Sequence, residues 1–198
     1  MLTKAEKTKQ FILEKISPYF NKHGYTGTSM ADITKITGLT KGAIYGNFKD
    51  KEELALEAFN YNIRIGVGRI GDHMNPNSDG ITRLLEIIDF FKVYYTSQRL
   101  HGGCPMQNVG VDSIHHNNTL HKRVVSVINK LIRQLADIID LAKEEGTVKS
   151  TIDSMKYANK IYAQIQGGIF VSNMLDNYDH LTEIMKHVEY MIDNEMRV

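Results

Sequence analysis

Residues 28–51 read TSMADITKITGLTKGAIYGNFKDK, and this stretch decides the fold. Ser29 stands where a hydroxyl caps a helix, and Asp32, three residues on, completes the spacing of a capping box. Met30, Ile33 and Ile36 then recur at helical spacing. Gly38 follows, suited to the left-handed backbone that ends a helix. Thr40 is placed to cap a second helix, on which Ile44 and Phe48, four residues apart, share one face. Asp50 opens the next helix. Two short helices joined by a tight, glycine-containing turn form the pattern of a helix-turn-helix, whose second helix enters the major groove of DNA.

With Ile44 and Phe48 turned inward, Gly42 and Gly46 fall on the outer face, flanked by Ala43 and Tyr45. An exposed helical glycine costs about 1 kcal/mol against alanine. Two of them suit a face whose backbone a bulky partner must approach. Thr40 and Lys41 sit at the positive end of the helix, where phosphate binds well. Tyr45 offers a hydroxyl to phosphate or a ring to a base edge. Periodicity alone leaves open a small helical hairpin with a solvated outer face.

The wider stretch HGYTGTSMADITKITGLTKGAIYGNFKDKEEL resembles the DNA-binding signature of the TetR family of bacterial transcriptional repressors. The match runs through Gly24, Thr28, Ser29, Ile33, Gly38, Lys41, Gly42, Tyr45, Phe48, Lys51 and Leu54. The resemblance implies DNA contacts from Ser29, Thr40, Lys41, Gly42, Ala43, Tyr45, Asn47 and Lys51. Gly46 departs from the pattern, since many relatives carry a larger side chain there, so no base preference carries over.

Composition fits this reading. The net charge of +1 over 198 residues does not by itself point to nucleic acid. Its distribution does: residues 1–52 carry nine lysines against five acids, which leaves the remainder near −3. A basic head on a mildly acidic body is the electrostatic footprint of a DNA-binding module joined to something else. One cysteine allows no intramolecular disulfide and fits a reducing compartment. The polar start MLTKAEKTKQ has no signal-peptide core, and no run approaches the ~18 apolar residues of a membrane span. A cytoplasmic protein without membrane partners is expected.

The rest of the chain reads as helix. Residues 3–23 form a first helix with Ile12, Ile16, Tyr19 and Phe20 on one face and a kink expected at Pro18. A helix from Asp50 to about Gly71 links head to body. It contains GVGRIG, a formal match to a dinucleotide-binding fingerprint, but that motif demands a preceding strand, and helix precedes it here. Further helices are expected over 80–98, in a short segment ending near Ser113, and over 119–145, 151–176 and 178–196. The expected fold is all-α, with about nine helices. A three-helix head over residues 1–50 contains the helix-turn-helix, and residues 51–198 form a larger ligand-binding and dimerisation domain.

The resemblance further implies a homodimer, in which the last two helices pair with their counterparts in a four-helix interface. On those helices Ile165, Gly168, Ile169, Ser172, Ile184, Val188 and Met191 are the expected interface residues. A dimer is also what a palindromic operator requires. The body of such regulators usually holds a small-molecule pocket, and here Phe91, Tyr94, Tyr95, Cys104, Met106, Gln107, Tyr162, Gln166 and Phe170 are the candidate lining. Aromatic and methionine residues at helical spacing equally describe plain core. The expected function is a repressor released from double-stranded operator DNA by a small apolar or aromatic effector.

Two other readings stand beside it. Cys104, in HGGCP, sits at a loop-to-helix junction, where a helix start and neighbouring His101 or Arg99 favour the thiolate. GGCPMQN resembles a stretch in one branch of TetR-like regulators, some of which sense electrophiles or oxidants through cysteine. A small buried packing residue accounts for it as well. From another class, a helical enzyme or cofactor-binding protein would need a nucleophile with its base or paired carboxylates, and nothing gathers them. His101, Cys104, His115, His116 and His121 have no recognised metal spacing. No enzyme activity, cofactor or metal is expected.

Overall fold

The computed structural model describes residues 3–98 and 102–198, without the side chains of 94–98. Among the described residues nine α-helices follow one another: α1 Lys4–His23, α2 Met30–Thr37, α3 Lys41–Tyr45, α4 Lys51–His73, α5 Gly80–Gln98, α6 Pro105–His116, α7 Asn118–Glu144, α8 Ser154–Leu175 and α9 Asp179–Met191. A π-helical turn, Ile192–Met196, ends the last of them. No strand occurs among the described residues beyond an isolated bridge between Val148 and Arg197.

The chain divides into two compact units, residues 1–67 with 99–126 and residues 68–98 with 127–198. In the first, α1 to α4 close around Ile12, Leu13, Ile16, Phe20, Ile33, Ile44, Phe48, Leu54, Ala55 and Ala58. α1 continues through Pro18 rather than ending there, and Asn62 of α4 donates to the neighbouring Ser17 carbonyl at 2.9 Å. The capping boxes are formed at Thr3 with Glu6 and at Ser29 with Asp32. Gly38 takes the left-handed conformation, φ 70° and ψ 10°, in which an L side chain is strained. α3 is shorter than the sequence suggests, but Phe48 still bonds its N–H to the Ile44 carbonyl at 3.0 Å and stays buried.

α6 and the start of α7 complete this unit. Asn21 donates to the Gly103 carbonyl at 2.8 Å, and Asn108 returns a bond to the Asn21 carbonyl at 2.9 Å. Arg123 of α7 reaches Asn60 of α4 at 2.7 Å.

In the second unit, α8 and α9 pack against each other, and α5 packs on α9. The core includes Ile81, Leu84, Ile88, Ile139, Ile161, Ile165, Ile169, Met185, Val188 and Ile192. Gly80 lets α5 begin against α7, since a Cβ there would lie 2.5 Å from the Ala142 nitrogen. α8 starts three residues later than its periodicity suggests, because the Asp153 carboxylate accepts the Lys156 N–H at 3.0 Å and sets the cap. Residues 66–71 are helical within α4, so GVGRIG has none of the strand context of a dinucleotide site.

Candidate nucleic-acid interface

α3 lies on the head with Ile44 and Phe48 as its anchors, 1% exposed each. Its other side faces solvent. Thr40, Lys41, Gly42 and Gly46 are exposed, Ala43 and Asn47 half-buried, and Tyr45 stands out at 45% exposure. Thr40 accepts the Ala43 N–H at 3.2 Å, so its hydroxyl oxygen fixes the start of the helix. Asn47 donates back to the Ala43 carbonyl at 2.9 Å and closes the far end. A Cβ on Gly42 would meet only the Thr40 hydroxyl, at 3.9 Å. The outer face is thus open to a partner, with Tyr45 its one aromatic side chain.

Ser29 is exposed but engaged at the start of α2. It donates to the Asp32 carboxylate at 2.6 Å and accepts the Asp32 N–H at 3.2 Å. The Ser29 hydroxyl, followed by its backbone N–H, holds the Asp32 carboxyl below the usual carboxylate range. Lys51 turns inward. Its ammonium donates to the Tyr25 carbonyl at 2.7 Å and stands 4.2 Å from the centre of the Tyr25 ring. Burial lowers its pKa, and the Asp112 carboxylate opposes that shift.

The remaining expected site residues fall on both units. Cys104, Met106 and Gln107 lie at the start of α6, where Cys104 and Met106 are buried, Cys104 as the capping residue. Phe91 is buried on α5, Tyr162 and Gln166 are partly buried on α8, and Phe170 is 52% exposed. The side chains of Tyr94 and Tyr95, and all of Arg99 and His101, lie outside the described residues. Among the described residues no three His, Cys, Asp or Glu side chains gather to hold a metal ion.

On α8 and α9 the expected interface residues differ in exposure. Ile165, Ile169, Ser172, Val188 and Met191 are buried within the chain itself. Ser172 accepts the Leu181 N–H at 3.0 Å. Gly168 is where α9 comes closest, with a Cβ there falling 2.8 Å from Leu181 Cδ1. Gly168 and Ser172, from the stripe selected by periodicity, face α9 within the chain. The open side is a groove of about 380 Å³ lined by Gln164, Gly167, Gly168, Val171, His180, Glu183 and Ile184. Of the seven expected residues, Gly168 and Ile184 border it.

Residues 80–188 match the family described as Tetracyclin repressor-like, C-terminal domain. Residues 12–58 match that described as Bacterial regulatory proteins, tetR family. The chain belongs to the TetR family. A TetR transcriptional regulator from Chloroflexus aurantiacus has a TM-score of 0.92 and 27% identity over the whole of both chains. A TetR family regulator from Cytophaga hutchinsonii has 0.91 and 28%, covering 100% of this chain and 98% of its own. The HTH-type transcriptional regulator LmrA of Bacillus subtilis is 25% identical over 89% of this chain and 92% of its own.

This TetR chain is therefore a DNA-binding transcriptional regulator of the helix-turn-helix type, and its relatives are regulators rather than enzymes. Among the described residues no helix is long and apolar enough to cross a membrane. Around the TetR head, sequence reasoning missed Tyr25 and Asp112, which contact each other across 87 residues. No local spacing announces such a pair. The exposed Lys35 and Lys49 of the head were also passed over, although its charge count included them.

Proposed function

We propose that this protein is a homodimeric repressor that binds an inverted-repeat operator through α3 and is released by a small apolar or aromatic effector. The observation that carries the reading is the outer face of α3. Thr40, Lys41, Gly42 and Tyr45 are exposed on a helix fixed from beneath by buried Ile44 and Phe48. A rigid helix with an open backbone and one projecting ring suits the major groove, and Lys41 supplies phosphate attraction. Ser29, Ala43 and Asn47 border that face. Lys51 joins them when its ammonium leaves the Tyr25 carbonyl.

Residues 1–50 act as the DNA-binding part and 51–198 as the part that dimerises and takes the effector, within the cytoplasm. TetR regulators are typically dimeric with small-molecule effectors, and an operator dyad requires two recognition helices about 34–36 Å apart. The groove beside Gly168 and Ile184 serves as the face for a second copy. Exposed Phe170, Val171 and Met174 on α8 supply apolar surface to cover. Phe91, Tyr162 and Gln166, together with Tyr94 and Tyr95, are the lining proposed for an effector in the second unit. Cys104, Met106 and Gln107, at the start of α6 in the first unit, are proposed as effector contacts of that unit by itself.

Selection of bound duplexes from a random pool at fixed salt tests the reading, because affinity depends steeply on ionic strength. Enrichment of an inverted repeat supports it. Failure to enrich any duplex at low salt, with folded and effector-stripped protein, refutes it.

A further inference from the structure

Tyr25 lies in the loop joining α1 to α2, and each of its polar groups is taken. Its N–H donates to the Asp112 carboxylate at 2.6 Å, and its carbonyl accepts the Lys51 ammonium at 2.7 Å. Its phenol is hydrogen-bonded by the Asn117 side chain. The next residue is bound to the same carboxylate, Thr26 through its N–H at 3.3 Å and its hydroxyl at 2.5 Å. Gly24 completes the fit. Its φ is +71°, and a Cβ there would fall 2.8 Å from the Asp112 carboxyl carbon. Asp112 and Asn117 belong to α6 and its C-terminal cap.

The apolar core of the head is drawn from α1 to α4 and from Phe48, in the turn between α3 and α4. Between Gly24 and Ser29 only Tyr25 packs against that core, and it does so partly buried. Polar contacts therefore do much of the holding: Asp112 of α6 takes the Tyr25 and Thr26 donors, Lys51 of α4 takes the Tyr25 carbonyl, and buried Thr28 donates to the Gly24 carbonyl at 2.7 Å. The loop leads straight into Ser29, the cap of α2, so its position sets where the helix-turn-helix begins. Three donors on one carboxylate form a charge-assisted clamp, stronger than neutral bonds of the same number.

We infer that Asp112 is a positioning residue for DNA binding: from α6 it clamps the α1–α2 loop and thereby fixes the helix-turn-helix for the major groove. The inference rests on the DNA-binding reading above. Asp112 touches no DNA in it. It acts through Tyr25 and Thr26.

The test uses the full-length protein and the duplex enriched by selection, with Asp112→Ala, Asp112→Asn and Thr26→Val. Asp112→Ala should weaken binding about tenfold while the salt slope stays that of the wild type, since no phosphate contact is lost. Amide exchange in α2 and α3 of the DNA-free protein should accelerate. Asp112→Asn, which keeps an acceptor for Tyr25, should recover most of the affinity. Thr26→Val should lose about threefold. A lower melting temperature with wild-type affinity and wild-type exchange in α2 and α3 would overturn the inference, since Asp112 would then serve stability alone. Should Asp112→Ala fail to fold, Thr26→Val decides, and wild-type affinity in that variant overturns the inference. Should the wild type enrich no duplex, the DNA-binding reading is what fails, and exchange in α2 and α3 alone decides whether Asp112 positions the loop.

Discussion

Glycine to alanine at two positions of the helix-turn-helix should change stability in opposite directions, and the backbone says why. Gly38 ends α2 at φ 70°, with nothing within 4 Å of the place a methyl would take. The whole effect of Gly38→Ala is therefore conformational. A left-handed L residue costs about 1–2 kcal/mol, and the loss of unfolded-chain freedom returns about 0.4–1 kcal/mol. The net loss is about 1 kcal/mol. Gly42 lies inside α3 with ordinary helical φ, and its added methyl would meet only the Thr40 hydroxyl at 3.9 Å. Gly42→Ala should gain about 0.5–1 kcal/mol from helix propensity and reduced chain entropy. For a chain of this length each kcal/mol moves the melting point by about 2–4 °C. Thermal unfolding followed by circular dichroism, at one protein concentration because a dimer's melting depends on it, should show the two variants on opposite sides of the wild type. The same Gly42→Ala protein, though more stable, should bind the selected duplex more weakly, because its methyl stands on the face offered to DNA. Shifts of the same sign, or a neutral Gly38→Ala, would refute the assignment of a left-handed turn between the two helices.

Phe48→Ala should cost about 3–5 kcal/mol in urea unfolding, since the ring is 1% exposed in the core of the head. Lys41→Ala should weaken binding across all duplex sequences and reduce the magnitude of the salt slope by about one, as titration over a salt series will show. The Ser29–Asp32 box should stabilise the head at neutral pH and lose that contribution as the pH falls. The Asp32 carboxyl is held below its ordinary value in the folded chain, so its benefit is present above the unfolded carboxylate pKa and disappears below it as the folded form takes up a proton. Asp32→Asn should flatten that part of the acid unfolding curve. Cys104, 5% exposed, should react with a thiol reagent far more slowly in the native protein than in denaturant, and equal rates would contradict its burial.

The head was legible from sequence because its signals are local. Ser29, Asp32, Gly38 and Thr40 act within four residues of themselves, through caps and a turn, and the structure forms each of those contacts. The helix count was legible for the same reason, since 3.6-residue periodicity and Gly or Asp boundaries suffice to place a helix. Boundaries slipped where a side chain decided them, as Asp153 does for α8. The clamp on Tyr25 was not legible. Nothing near residue 112 marks that carboxylate as a partner of residue 25, and only the folded path of the chain brings them together.

The last two helices show where periodicity stops being informative. A stripe of Ile165, Gly168, Ile169 and Ser172 on α8 and one of Val188 and Met191 on α9 fit two demands equally: a core inside one chain and an interface between two. Apolar spacing states that a face is covered, not by what. Gly168 has Leu181 of the same chain against it, at a distance that admits no side chain, so the small residue serves the α8–α9 crossing. The adjacent side, one helical step round, is the face proposed for a second copy; there Gly167 has nothing within 4 Å and Val171 is 39% exposed. A bulky residue at Gly168 should therefore disturb the protomer, whereas one at Gly167 should leave the protomer folded and disturb pairing. Melting and sedimentation of Gly168→Leu and Gly167→Leu separate the two. A Gly167→Leu protein that melts as the wild type does and still sediments as a dimer would place the second copy on some other face.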